Sequence, residues 1–394
     1  MKVLFTPWAM SPHYFPLVPI GWALRNAGHE VRVACSPRLV DVVTDSGLPA
    51  VAVGEDVDLT PLVCDHMGVD PDAELNAERW ADLRRMKGPR ALEMFVAFAE
   101  LMAEDLIEFG RTWQPDLIVH TPSAFVGPLA AAALGVPNVR HLKGPDIAAG
   151  IAPIATRLMR PLCDKFNVAS IEPLGVTTVD TCPASLRVDA SYPRLDMRYV
   201  PYNGPGIVPD WLLDPPSRPR VCVTWGGTLG RLNPRLMLAP MIMEAIKDMD
   251  IEVVVTAQPA DHGQFGGLPE NVRLLDAMPL NVLLPSCSAL IDQGGVGTAM
   301  TGAALGVPQL VVPQFPDHMF TAGHLVTAGC GLVRLPEEAT PEVIRADLER
   351  LLEEDALRES AGRVAAEMAA MPIPAEVVGQ LESVAAAAGL PVAR

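Results

Sequence analysis

The apolar positions of the chain alternate between two rhythms. Val3-Leu4-Phe5 is a short continuous run that predicts a strand, whereas Phe15 to Ala27 carries apolar residues at helical spacing and closes at Gly28. His29 to Ala34 predicts a second strand. Strand, helix, strand is the unit from which parallel sheets are built, so the N-terminal half predicts a doubly wound α/β domain.

The same rhythm returns later, marked by a repeat: Ala133-Leu134-Gly135-Val136-Pro137 recurs as Ala304-Leu305-Gly306-Val307-Pro308. The first copy follows the strand-like Leu117-Ile118-Val119 and a small-residue helix. The second follows Ala289-Leu290-Ile291 and a helix predicted over Thr298 to Leu305. Each copy leads into a further apolar segment. Both halves thus predict strand, turn, helix, glycine corner and strand, the pattern of two Rossmann-like domains that bind ligands at the carboxyl ends of their strands.

Proline marks the boundary. Pro201, Pro205, Pro209, Pro215, Pro216 and Pro219, with Gly204 and Gly206, cannot sustain a helix or a central strand. An N-terminal domain is expected over 1–205, a linker over 206–220 and a C-terminal domain over 221–375, with a closing helix in 376–394 packed back on the first domain. Val221 to Thr224, Val253 to Val255, Ala289 to Ile291 and Leu310 to Val312 predict the second sheet, and Ile344, Leu348, Leu351 and Leu352 predict an amphipathic helix from Pro341. Residues 65–109 have helical composition without the strand rhythm. They carry Met67, Trp80, Met86 and Met94, candidates for the wall of an apolar pocket.

Composition narrows the function. Hydrophobic residues make up 49% and charged residues 20%, and no apolar stretch is long enough for a membrane helix. Thirty Lys plus Arg against 47 Asp plus Glu leave a net charge of -17, which repels nucleic acid and anionic lipid. The seven cysteines are scattered without a C-x-x-C pair or a neighbouring histidine, so they predict reduced thiols and no zinc site. The start of the chain is broken by Pro7, Pro12, His13 and Pro16, unlike a signal peptide, and the cytoplasm is the expected compartment.

The sharpest local signal is Asp292-Gln293-Gly294-Gly295-Val296-Gly297-Thr298, which follows an apolar strand and opens a helix. Glycines admit a diphosphate to the backbone, the free amides of the first helical turn point at it, and Thr298 adds a hydroxyl. His13 lies in the loop after the first strand.

From Leu275 to Leu332 the sequence resembles the donor-binding region of nucleotide-sugar glycosyltransferases with the GT-B fold, in particular those that decorate actinobacterial natural products. The resemblance rests on Asp276-Ala277-Met278-Pro279-Leu280, on Gln293 to Thr298, on Ala304 to Gln309 and on Asp317-His318. Ser11-Pro12-His13, Ala27 to Val31 and the linker Val200 to Gly206 extend it over nearly the whole chain. It implies two Rossmann-like domains with parallel sheets facing a central cleft. Met278, Pro279 and Leu280 are then expected to hold the nucleobase. The diphosphate falls to Gln293, Gly294, Gly295, Gly297 and Thr298 with Thr228, and the donor sugar to Asp317 and His318.

The resemblance makes His13 the base. Relatives orient that base with an aspartate where this chain reads His120-Thr121-Pro122-Ser123, and they carry a histidine in place of Gln293. Asp146, in a Gly-Pro-Asp segment that relatives place beside the acceptor, is a second base candidate. The expected activity is inverting, metal-independent, O-linked transfer of a (deoxy)sugar from a dTDP-sugar or UDP-sugar to a hydrophobic polyketide-type aglycone in antibiotic biosynthesis. C-glycosylation of an aromatic polyketide and a non-catalytic nucleotide-sugar-binding partner are the alternatives, and an epimerase is disfavoured by the apolar insertion. A homodimer and an auxiliary activator protein are the macromolecular partners the resemblance leaves open.

Overall fold

The computed structural model describes residues 1–394 apart from 86, 87, 277 and 388–394. Two parallel sheets form, one on each side of the proline-rich segment. The first has the strands β1 (Lys2–Thr6), β2 (Glu30–Cys35), β3 (Ala50–Ala52), β4 (Leu117–His120), β5 (Asn138–His141), β6 (Thr177–Asp180) and β7 (Arg194–Asp196), in the order 3-2-1-4-5-6-7. The second has β8 (Arg220–Thr224), β9 (Glu252–Thr256), β10 (Val272–Leu275), β11 (Ala289–Asp292), β12 (Gln309–Val311) and β13 (Gly331–Val333), in the order 10-9-8-11-12-13. The strand order reverses beside β1 and β4 in the first sheet, and beside β8 and β11 in the second. These are the switch points at which such sheets hold ligands.

Strands buried on both faces account for the short continuous apolar runs. Leu4, Phe5, Ile118, Leu290 and Ile291 are fully buried. The helical spacing after Pro341 becomes the helix Pro341–Glu353, whose Ile344, Leu348 and Leu351 face the core. The repeated pentapeptide is a structural repeat. Each copy caps a helix, Val126–Leu134 or Val296–Ala304, and enters the strand that pairs with β4 or β11. Gly135 and Gly306 turn both corners in the left-handed conformation, at φ 69° and 70°.

Between β3 and β4 stand the helices Leu59–Met67, Ala77–Arg85 and Gly88–Trp113. This arm reaches the C-terminal domain. Asn233 Nδ2 donates to the carbonyls of Asp70 at 2.9 Å and Ala73 at 3.1 Å, and Arg235 pairs with Glu74 at 2.8 Å. From the proline-rich segment, Asn203 accepts from the Asn281 amide at 2.9 Å and donates to Thr301 at 3.2 Å. The helix Pro374–Ala387 returns to the first domain, where Glu382 meets His29 at 3.0 Å.

Candidate active site

At the end of β11 the chain turns through Gln293 and Gly294 into the helix Val296–Ala304. Gly294 has φ 90°, and a methyl group there would lie 2.9 Å from Val311 and 3.1 Å from the His318 backbone. Only glycine allows this close approach, which brings the start of the helix Pro316–Thr327 beside the turn. The amides that open Val296–Ala304 have no side-chain cap, leaving their donors and the helix dipole for an anion. Half-buried Thr298 lies on the first turn, as does half-buried Thr228 on the neighbouring loop after β8.

Gln293 is 7% exposed. Its Nε2 lies over the turn, 2.9 Å from where a methyl on Gly295 would sit and 3.1 Å from one on Gly226, while its Oε1 has no partner. Asp292 is fully buried and accepts from the Gly294 amide at 2.6 Å, with Oδ2 unpaired. Burial pushes its carboxyl up to about 7 against that hydrogen bond, so about half of this acid beneath the turn is protonated near pH 7. This lessens the repulsion expected between an aspartate and a diphosphate at this place.

Trp225 is core, at 1% exposure. Met278, Pro279 and Leu280 form the turn leading into the helix Leu280–Leu283, with half-buried Met278 on its rim and Pro279 beneath Gly206 of the linker. Asp317 and His318 open the helix Pro316–Thr327. His318 is buried with Nδ1 unpaired, and burial holds its imidazole below its usual range.

On the opposite wall, His13 sits in the short helix Ser11–Tyr14 after β1, its ring edge-on to Trp8 at 5.0 Å. The Trp8 amide donates to Thr121 at 3.1 Å, which ties this loop to the end of β4. Among the described residues no acidic side chain orients His13, and its Nδ1 has no partner there. Its Nε2 instead faces Lys143 Nζ at 3.0 Å. Burial, and then the charge of Lys143, hold the His13 imidazole well below its ordinary value. His120, at the end of β4, is buried and bonded to Asn138, and burial lowers it to about 3.

Two sequence-based expectations are corrected here. Asp146 is not placed as a base: both its oxygens bind Arg140, at 2.7 and 3.3 Å, and Tyr192 donates at 2.8 Å and the Ala148 amide at 3.0 Å. At 6% exposure it braces the loop after β5. Trp80 and Met94 do not line an open wall either. They are 6% and 4% exposed within the main core, because the apolar faces of their helices pack inward, while Met67 is only partly buried against that core. Met86 lies outside the described residues. The ring against His13 is Trp8, itself buried, which packs edge-on against Phe95 and Phe98 at centroid distances of 5.6 and 5.9 Å.

Sequence reasoning missed Lys143. Only its place in Lys143-Gly144-Pro145-Asp146, one segment with the second base candidate Asp146, pointed to it.

Residues 22–226 match the family described as "Erythromycin biosynthesis protein CIII-like, N-terminal domain", and residues 240–384 match its C-terminal domain. The chain belongs to this family. It is therefore a glycosyltransferase, with the GT-B fold of its structural relatives. Over 98% of its length it is 36% identical to the 10-deoxymethynolide desosaminyltransferase of Streptomyces venezuelae, covering 97% of that protein. It is also 36% identical to the aklavinone 7-beta-L-rhodosaminyltransferase of Streptomyces galilaeus, over 98% of this chain and 96% of that one. The glycosyltransferase VinC in complex with dTDP superposes with a TM-score of 0.81 at 36% identity, over 98% of this chain and all of VinC. The spinosyn forosaminyltransferase SpnP gives 0.83 at 33%, over 98% and 99%.

Among the described residues no three metal-ligating side chains converge, and no helix is long and apolar enough to cross a membrane.

Proposed function

We propose that this glycosyltransferase moves a deoxysugar from a dTDP-sugar to a hydroxyl of a hydrophobic polyketide aglycone, in the cytoplasm, with inversion at the anomeric carbon. One observation carries the reading. The histidine loop of the first domain and the glycine turn of the second face each other across one cleft, where Lys143 contacts His13 while its neighbour Gly144 packs against Val296 at the start of the turn's helix. A sugar held on the second domain is thereby presented to a base on the first.

The residues divide the work. The amides opening the helix Val296–Ala304, with Thr298 and Thr228, hold the diphosphate and stabilise it as it leaves. The turn Met278 to Leu280 takes the thymine, and Asp317 with His318 takes sugar hydroxyls. His13 accepts the acceptor proton as the acceptor oxygen forms its bond to the anomeric carbon. The bond from that carbon to the β-phosphate oxygen breaks, its electron pair leaves with dTDP, and a single displacement inverts the centre. Half-buried Phe95, packed edge-on against the Trp8 ring that His13 touches, offers an apolar surface that suits a hydrophobic acceptor. The activities of the relatives, desosaminyl and rhodosaminyl transfer to 10-deoxymethynolide and aklavinone, support an amino- or deoxysugar and a polyketide. The unpaired state of all seven cysteines suits a reducing compartment.

The test is product formation by the purified chain. dTDP-deoxysugars incubated with macrolide and anthracycline aglycones should yield a glycoside and one dTDP per transfer by mass spectrometry. Donor binding without product across the panel, also with a co-expressed activator, would favour a non-catalytic nucleotide-sugar-binding role.

A further inference from the structure

The cation in the cleft is on the wrong residue for an orienting partner. A carboxylate behind a catalytic histidine raises its basicity, whereas Lys143 has the opposite sign and approaches Nε2. An ammonium has only donors, so this contact occupies the Nε2 lone pair and leaves the ring proton on the partnerless Nδ1. His13 in this state cannot take a proton from an acceptor at Nε2.

Lys143 has a second place to go. A methyl on Gly144 would lie 2.4 Å from Val296 Cγ1 and 3.2 Å from Met300 Cγ, so the backbone carrying Lys143 rests on the first turns of the diphosphate helix. The charges facing Lys143 are His13 on the first domain and Asp317 and His318 on the second. At the diphosphate turn itself the side chain is Gln293, which carries no charge.

Resting on the transfer reading above, we infer that Lys143 is a two-position catalytic cation: it blocks His13 Nε2 until the donor binds, and a bound nucleotide diphosphate draws its ammonium to the turn at Gln293 and frees the base. One movement then supplies the positive charge absent at Gln293 and couples donor binding to base activation. Burial holds the Lys143 ammonium down to about 8, against the pull of Asp317, so the charge is poorly stabilised where it stands and a dianion offers it a better partner. The chain then binds acceptor without activating it until the sugar is in place.

The experiment compares wild type with Lys143→Met and Lys143→Arg, both checked for folding by circular dichroism. Two readouts do not depend on turnover: dTDP affinity by calorimetry, and the titration of His13 by NMR with and without dTDP, its signal assigned by loss in His13→Ala. Lys143→Met should weaken dTDP about 10-fold, with Lys143→Arg close to wild type. In the empty wild type the His13 pKa lies well below 6.5. Lys143→Met should raise it by about one unit, because a like charge is removed, while the burial contribution remains. In wild type, dTDP should raise it similarly, and in Lys143→Met it should not. Equal dTDP affinity in wild type and Lys143→Met, or a His13 titration that neither the substitution nor dTDP moves, overturns the inference. A wild type that fails to bind dTDP at all overturns the transfer reading instead. If Lys143→Met does not fold, Lys143→Gln takes its place with the same expectations.

Discussion

Replacing Asp292 by Asn tests the electrostatics of the phosphate turn. The side chain is fully buried at the end of β11, and burial raises its carboxyl from 3.8 to about 7, opposed by one hydrogen bond from Gly294. The unfolded chain releases this proton at the ordinary value and the folded chain about three units later, so folding takes up a proton between them. Stability from this group is therefore fully present below pH 3.8 and is lost as the pH rises towards about 7. At about 1.36 kcal/mol per unit the whole effect is about 4 kcal/mol, of which about 2.5 kcal/mol falls between roughly pH 5 and pH 8. Asparagine does not ionise and keeps an oxygen for the Gly294 amide. Asp292→Asn should thus gain about 2.5 kcal/mol on wild type over that pH interval, read as the change in their difference in urea unfolding free energy. A difference that stays constant from acid to alkaline pH would show that the carboxyl titrates alike in both states, and the reasoning would fail.

Three further substitutions probe the cleft. His13→Ala should lower turnover about 100-fold or more without weakening dTDP binding, because the base does not hold the nucleotide and its removal only frees Lys143 for it. Asp146→Asn should act on stability, costing about 3 kcal/mol by leaving Arg140 buried and unpaired, with a far smaller loss of turnover in the folded protein, measured by urea unfolding beside initial rates. Gln293→His, whose side chain overlies Gly226 and Gly295, should tighten dTDP binding several-fold as the imidazole becomes protonated, with the gain fading above about pH 7 in a calorimetric titration. An unchanged affinity at every pH would place residue 293 away from the phosphates.

What could be read from the chain alone was local. Val3 to Phe5, the helix closing at Gly28 and the repeated pentapeptide lie within single supersecondary units, and their periodicities carry through to β1, the helix Val18–Asn26 and the paired corners at Gly135 and Gly306. The glycine turn was legible for the same reason, since strand, turn and helix are contiguous. The failures lie where partners come from far along the chain. Asp146 looked free because Tyr192 is 46 residues away and Arg140 belongs to the preceding strand. The Met and Trp residues of the helical arm fit a pocket wall and a core equally well by spacing, and only packing shows that Trp80 and Met94 are core. Lys143 carries no motif. Its importance appears only once the fold has set His13 and Asp317 on either side of it.

The central claim is that the helix Val296–Ala304 holds the diphosphate of a dTDP-sugar opposite His13, and a crystal structure of the chain with dTDP tests it most directly. The account predicts β-phosphate oxygens within hydrogen-bond distance of the amides and hydroxyl of residues 296–298, thymine against Met278 to Leu280, and an open apolar space between the nucleotide and His13 bordered by Trp8. dTDP bound on the first domain, or on the second with its phosphates away from that helix, would contradict it.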